Sequence, residues 1–193
     1  MSDQIIQKDS RLKSYLLFLK KKPHFIILII FIPILLILIF MLNNLRIDKL
    51  NLKISENFNQ ANIFISNNKN KEAKKILIDI INKKHKFYAP LALNTIIEKK
   101  LSTNKIELDK YFDKIILIKQ KDKEINNLVR LKKGLFLLSD VNSSESTILD
   151  TLNPIINNNS IWKNTAIKLL ANYYTYLGED VKSQEYYDLL NNK

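Results

Sequence analysis

The chain has 193 residues, with 31 basic side chains against 19 acidic ones, a formal charge of +12, and no cysteine. Its 2 Gly and 4 Pro amount to about 3% where ordinary usage is about 12%, which argues against an all-β domain, a Gly-rich phosphate loop and a collagen-like or linker-like chain, because each needs backbone positions that Gly or Pro supplies. The missing thiol removes disulfides, thiolate metal sites and thiol catalysis together. Ile, Lys and Asn number 30, 28 and 23; all three have A/T-rich codons, so the positive charge is weak support for a nucleic-acid partner.

In chain order, residues 3–22 have the spacing of a short amphipathic helix, with Ile5, Leu12, Leu16 and Leu19 on one side, suited to a membrane surface or left as a frayed tail. Phe25 to Leu42 is then an uncharged apolar run of 18 residues. At 1.5 Å per residue it covers about 27 Å, close to the hydrocarbon thickness of a bilayer. Pro33 should kink this helix without breaking it, because a membrane offers its backbone no other hydrogen-bonding partner. The run ends in Asn43-Asn44-Leu45-Arg46 without a small-residue cleavage site, which reads as an uncleaved signal anchor. Lys8, Arg11, Lys13, Lys20, Lys21 and Lys22 precede the span, while Arg46, Lys49 and Lys53 follow it. The bias places the N-terminus in the cytoplasm and the remainder outside, in a bacterium the periplasm.

From residue 43 onward the apolar spacing is helical, with predicted segments at 45–66, 70–84, 88–101, 105–119, 123–140, 144–157, 160–177 and 180–191. Turn and cap residues separate them at Asn67-Asn68-Lys69-Asn70, Ser102-Thr103-Asn104, Asn142-Ser143-Ser144 and Gly178-Glu179-Asp180. A two-helix period of this length is the mark of a helical solenoid, in which stacked repeats share one core. The last pair resembles a tetratricopeptide repeat. Ile167, Leu170, Ala171, Tyr174 and Gly178 stand at its first-helix and turn positions, and Ser183 and Tyr187 at its second-helix positions. Ala171 and Ser183 are small enough for the helices to approach, with the tyrosines filling the space around them. Ala61, Phe64, Ala73 and Leu77 repeat the pattern loosely in the first pair, Tyr88, Leu91 and Ala92 in the second, and Gly134 and Leu137 in the third.

The expected fold is therefore all-α: a cytoplasmic basic tail (1–24), a transmembrane signal anchor (25–42) and a tetratricopeptide-like solenoid of about four helix pairs (43–193). This whole-chain arrangement resembles the ancillary subunit family of the bacterial Sec translocon, with Tyr88-Ala89-Pro90-Leu91-Ala92, Ser160-Ile161-Trp162 and Leu177-Gly178-Glu179-Asp180 as the stretches that carry the likeness. The resemblance implies an inner-membrane protein that associates with translocon subunits and a membrane-anchored periplasmic chaperone of the peptidyl-prolyl isomerase type. A scaffold for envelope assembly or cell division is the rival within the same class, and a membrane-tethered enzyme the rival from another.

Catalytic chemistry finds no support in the sequence. His24 lies at the edge of the span and His85 in a Lys-rich turn, read as interfacial and solvated respectively. Asp109 with Asp113, and Glu185 with Asp188, alternate with lysines at helical spacing and read as solvated faces. No catalytic, metal or cofactor residue is assigned. Residues 43–143 carry 21 basic and 11 acidic side chains, residues 144–193 carry 4 and 6, a contrast suited to anionic lipid on one side and a basic partner on the other. No nucleic-acid recognition motif is present. If first helices line a concave binding face, Asn62, Lys168 and Asn172 point toward it, and Lys168 with Asn172 forms an i, i+4 pair able to hold a carboxylate or an extended backbone. Trp162, Tyr173, Tyr176 and Tyr186 are the alternative aromatic contact surface.

Overall fold

The computed structural model describes residues 23–191, with side chains from Phe31 onward; the amphipathic segment expected at 3–22 lies outside the described residues. All regular structure among the described residues is helical: α1 (Pro23–Ser66), α2 (Asn70–Asn82), α3 (Tyr88–Glu98), α4 (Lys105–Ile116), α5 (Lys123–Leu138), α6 (Glu145–Ile156), α7 (Lys163–Leu177) and α8 (Asp180–Asn191). The expected span and the expected first segment of the soluble part are one uninterrupted helix of 44 residues, which passes through Pro33. The chain divides into two compact units between Lys53 and Ile54.

In the first unit, every side chain from Phe31 to Leu50 is exposed. Within residues 31–66 of this helix, an 18-residue stretch has a mean hydropathy of 1.8 and none of it is buried. It is long and apolar enough to cross a membrane.

In the second unit, helices that follow one another in sequence pack on one another, as α2 on α3, α5 on α6 and α7 on α8. Links also reach the helix after next: the Tyr88 hydroxyl donates to Ser55 Oγ at 2.8 Å across α1 and α3. The core forms two clusters. One runs from Ile54 and Ala61 through α2, α3 and α4 to Val129, and the other from Leu131 through α6 to Leu170 of α7. Helix α5 supplies both, and Phe136 packs against each.

The helix ends follow from local chemistry. Asn104, Asp122 and Ser144 accept from the backbone N–H groups of Glu107, Glu124 and Thr147, each satisfying a donor that the first turn leaves free. Three helices close on a left-handed residue whose neighbour reaches back: Lys69 N donates to Phe64 O, Leu101 N to Ile96 O and Glu179 N to Tyr174 O. The left-handed residues at these three ends are Asn68 (φ 58), Lys100 (φ 51) and Gly178 (φ 75), and Lys84 (φ 53) after α2 is a fourth. Of these, Gly178 alone is free of the penalty that a Cβ imposes there.

Two close approaches set the packing of the later helices. Ala171 and Ser183 are buried, and Ser183 Oγ donates to Ala171 O at 3.1 Å, as the small-residue reading of the last pair expects. At Gly134 an added Cβ would stand 2.5 Å from Leu152 Cδ2, and Leu152 is completely buried. The ring stacked on Tyr174 is Tyr186, at 5.5 Å and 15°. Tyr187, expected to fill that space, is instead half-buried and donates to Asn172 Oδ1 at 2.7 Å. Both tyrosines of α8 thus meet α7, Tyr186 by stacking on Tyr174 and Tyr187 by its hydrogen bond to Asn172.

Replacing Ala171 by Phe should wedge α7 from α8 and lower stability by about 1–3 kcal/mol; an unfolding midpoint equal to the parent's would contradict the contact. Replacing Lys100 by Gly relieves the left-handed strain and should raise stability by up to about 1 kcal/mol, measured as a higher urea midpoint at an unchanged slope.

Candidate protein-binding groove

Helix α5 presents four successive residues in four directions, as a period of 3.6 requires. Gly134 meets Leu152 on α6. Lys133, only 7% exposed in its side chain, is directed at α4, where its ammonium lies 2.6 Å from Asp113 and 3.1 Å from Asp109. The Asp113 contact is a hydrogen bond, whereas Asp109 Oδ1 is close but has no aligned donor and acts through charge. The carboxylates at 109 and 113 are therefore not a plain solvated face: they compensate a buried cation whose isolation would be expensive.

The other two directions open a groove. Lys132 donates to Asn94 Oδ1 of α3 at 3.1 Å, and Leu135 is 51% exposed. Between α3 and α5 lies an open cavity of about 530 Å³ lined by Asn94, Ile97, Glu98, Phe112, Lys132, Leu135, Phe136 and Ser139. A smaller one of about 60 Å³ continues from it past Pro90, Leu93 and Ile125. The Phe112 and Phe136 rings lie 5.5 Å apart at 38° and give the groove an aromatic base, with amide, ammonium and carboxylate groups around it. An apolar strip beside a few polar groups suits an extended or helical peptide segment.

The residues singled out from sequence sit elsewhere. Asn62 is exposed on α1, and Lys168 and Asn172 are exposed on α7; none of the three lines this groove. Asn172 already accepts from Tyr187, which occupies the carbonyl end of the proposed pair. Of the aromatic alternatives, Tyr176 is 87% exposed, while Trp162, Tyr173 and Tyr186 pack against the second core cluster. Asn94 and Lys132 are 38 positions apart in the chain, close to the two-helix period expected from the sequence. That period was the only signal in the sequence that could have paired them.

Two further ionic junctions staple the helices. Lys74 Nζ of α2 donates to Glu107 Oε2 of α4 at 2.8 Å, the Ser102 hydroxyl donates to the same oxygen at 2.6 Å, and the Tyr111 hydroxyl donates to Oε1 at 2.9 Å. The Lys74 hydrogen bond, followed by those of Ser102 and Tyr111, holds the Glu107 carboxyl down at about 2, while burial, then Glu107, pushes the Tyr111 phenol up to about 12. Glu145 of α6 repeats the device, taking the Tyr174 hydroxyl of α7 at 2.7 Å and the Lys182 ammonium of α8 at 3.1 Å. Tyr174 followed by Lys182 lowers the Glu145 carboxyl, and burial followed by Glu145 raises the Tyr174 phenol.

His85 is half-buried and has a structural task in place of the solvated turn expected for it: its Nδ1 accepts from the backbone N–H groups of Phe87 and Tyr88 at 3.2 and 3.0 Å. Burial lowers its pKa from 6.5, in keeping with a neutral ring that caps the start of α3. Among the described residues, no group of three His, Cys, Asp or Glu side chains is placed to hold a metal ion. No family model, curated protein or solved structure matches the chain.

The Glu107 carboxyl falls from an ordinary 4.5 to about 2 on folding, so the unfolded chain binds its proton first. The stabilisation is fully present above pH 4.5 and is lost as pH falls through about 2, a contribution on the order of 2 kcal/mol. Urea unfolding followed between pH 5 and pH 2 should show this loss. Glu107→Gln should remove that part of the slope and be less stable than the parent at neutral pH.

Proposed function

We propose that the chain is a non-enzymatic, membrane-anchored scaffold whose second unit is a tetratricopeptide-like solenoid that binds protein segments. The observation that carries this reading is the open groove between α3 and α5, with Phe112 and Phe136 at its base and Asn94 and Lys132 bridging it. The repeat assignment is supported by the small-residue contact of Ala171 with Ser183 and by the packing of sequential helices on one another. The exposed apolar length of α1 supports a membrane anchor, and the six basic residues before the span against three after it orient it with the N-terminus in the cytoplasm and the helical unit in the periplasm.

Within that class the scaffold works in protein export beside the Sec translocon, in contact with translocon subunits and a membrane-anchored periplasmic chaperone. This choice rests on the resemblance of the whole-chain arrangement to the ancillary subunit family. A surface fixed to the bilayer meets other membrane complexes at raised effective concentration, so modest affinity per contact is enough. A groove of this kind suits transient engagement of an emerging chain better than a permanent clamp.

A C-terminal reporter that is active only after export should be active, and an inactive reporter at normal expression would reverse the orientation. Photo-crosslinkers at Ile97 and Leu135, compared with Asn62, Lys168 and Asn172, should yield adducts with translocon or chaperone components mainly from the first two positions. Adducts confined to division or peptidoglycan proteins would overturn the translocon assignment and keep the scaffold. An absence of adducts from all five positions would overturn the scaffold itself.

A further inference from the structure

The loops of the second unit fall into two sets, one at each end of the helices. Loops 83–87, 117–122 and 157–162 share one end. Gln120 Nε2 donates to Lys86 O at 3.0 Å and Lys114 Nζ to Asn82 Oδ1 at 2.7 Å, tying the first two together. Ser160 accepts from Asn127 and donates to Glu124, tying the third to the start of α5. The same end holds the beginning of the unit, because Ser55 accepts from Tyr88 at the start of α3.

Charge separates the two ends. The loops of this end contain Lys83, Lys84, Lys86, Lys119 and Lys121 against Asp122 alone, five basic minus one acidic, or +4. Loops 67–69, 99–104, 139–144 and 178–179 contain three lysines against Asp140 and Glu179, or +1. Of the five lysines, Lys83 is paired with Asp79 at 2.6 Å, while Lys84, Lys86, Lys119 and Lys121 are exposed. Asp122 is occupied as the cap of α5 and offers little compensation. Among these lysines stand three apolar side chains that the fold leaves in solvent: Phe87, 63% exposed, Leu117, 79%, and Ile161, 74%.

Exposed lysines interspersed with exposed apolar side chains have the chemistry of a surface that meets anionic lipid headgroups, with the lysines on phosphates and the apolar groups entering the interface. Covalent geometry favours the same occupant. Residues 43–53, between the end of the apolar run at Leu42 and Ile54, continue α1 as helix and cover only about 17 Å at 1.5 Å per residue, so an anchored chain keeps the unit at high effective concentration beside a bilayer. We infer that the basic end formed by loops 83–87, 117–122 and 157–162 docks on an anionic membrane surface. The inference rests on the reading of α1 as a membrane anchor and adds to it a second, electrostatic attachment, which would restrict how the groove is presented to partners.

The cysteine-free chain makes the test direct. The full chain is reconstituted in nanodiscs of phosphatidylcholine with or without phosphatidylglycerol, carrying one fluorophore on Leu117→Cys or, at the other end, on Val141→Cys, which replaces a side chain that is 95% exposed. Headgroup spin-labelled lipid should quench position 117 in anionic discs and much less in neutral ones, and position 141 in neither. Combined Lys84→Glu, Lys86→Glu, Lys119→Glu and Lys121→Glu changes, or high salt, should reduce quenching at 117 to the level at 141. Equal quenching at both positions, or quenching at 117 that ignores lipid charge and the lysine changes, would overturn the inference while leaving the anchor intact. Failure of the chain to enter nanodiscs would overturn the anchor and this docking together.

Discussion

The contact between Gly134 and Leu152 governs how the second unit is built. A helix this close to its neighbour tolerates no side chain at the meeting point, and the one position of α5 without a Cβ faces a fully buried leucine. That seating fixes the rotation of α5 about its own axis. Once Gly134 faces α6, Lys133 is directed at the carboxylates of α4, Lys132 at Asn94 of α3, and Leu135 into the open groove. One glycine thus decides which side chains are core, which are ionic staples and which line the groove. Because α5 also contributes to both hydrophobic clusters, its seating links the two halves of the core.

The polar junctions have a common logic. Glu107 and Glu145 each combine a tyrosine hydroxyl with a lysine ammonium, so that a single carboxylate joins separate helices. Such junctions contribute little through charge alone when exposed, but they add direction, which apolar packing lacks. In a chain rich in isoleucine and lysine, many slightly different helix packings would bury similar apolar area. Directional contacts at Glu107, Lys133 and Glu145 favour one of them.

The parts of this architecture that depend on neighbours in sequence were legible in it. Asn104, Ser144 and Gly178 mark helix ends through their own side chains or the lack of one, and the long apolar run is recognisable from composition alone. Other features depend on partners from other helices, or on local geometry that no residue type announces, and were not. Asp109 and Asp113 have the spacing of a solvated face, and only the arrival of Lys133 from another helix reveals their role. Lys100 closes α3 in a left-handed conformation that lysine does not favour, so no local signal marked it. His85 read as a turn residue because the two amides it caps become neighbours only once α3 forms. The groove likewise depends on Asn94 and Lys132 meeting from positions 38 apart in the chain. Asn62, Lys168 and Asn172 followed from a repeat register, which says nothing about where the surface is concave enough to hold a ligand.

The central claim is that α5 is seated by the absence of a side chain at 134, and a double-mutant cycle with Leu152 tests it most directly. Gly134→Ala should destabilise the parent, because the new methyl meets Leu152, yet stabilise the Leu152→Ala background by up to about 1 kcal/mol, where alanine's better helix propensity is no longer opposed. Chemical denaturation of the four proteins reads out both signs. If Gly134→Ala stabilises both backgrounds equally, as it would at an unconstrained helix position, the close approach does not exist, and the arrangement of the groove derived from it is wrong.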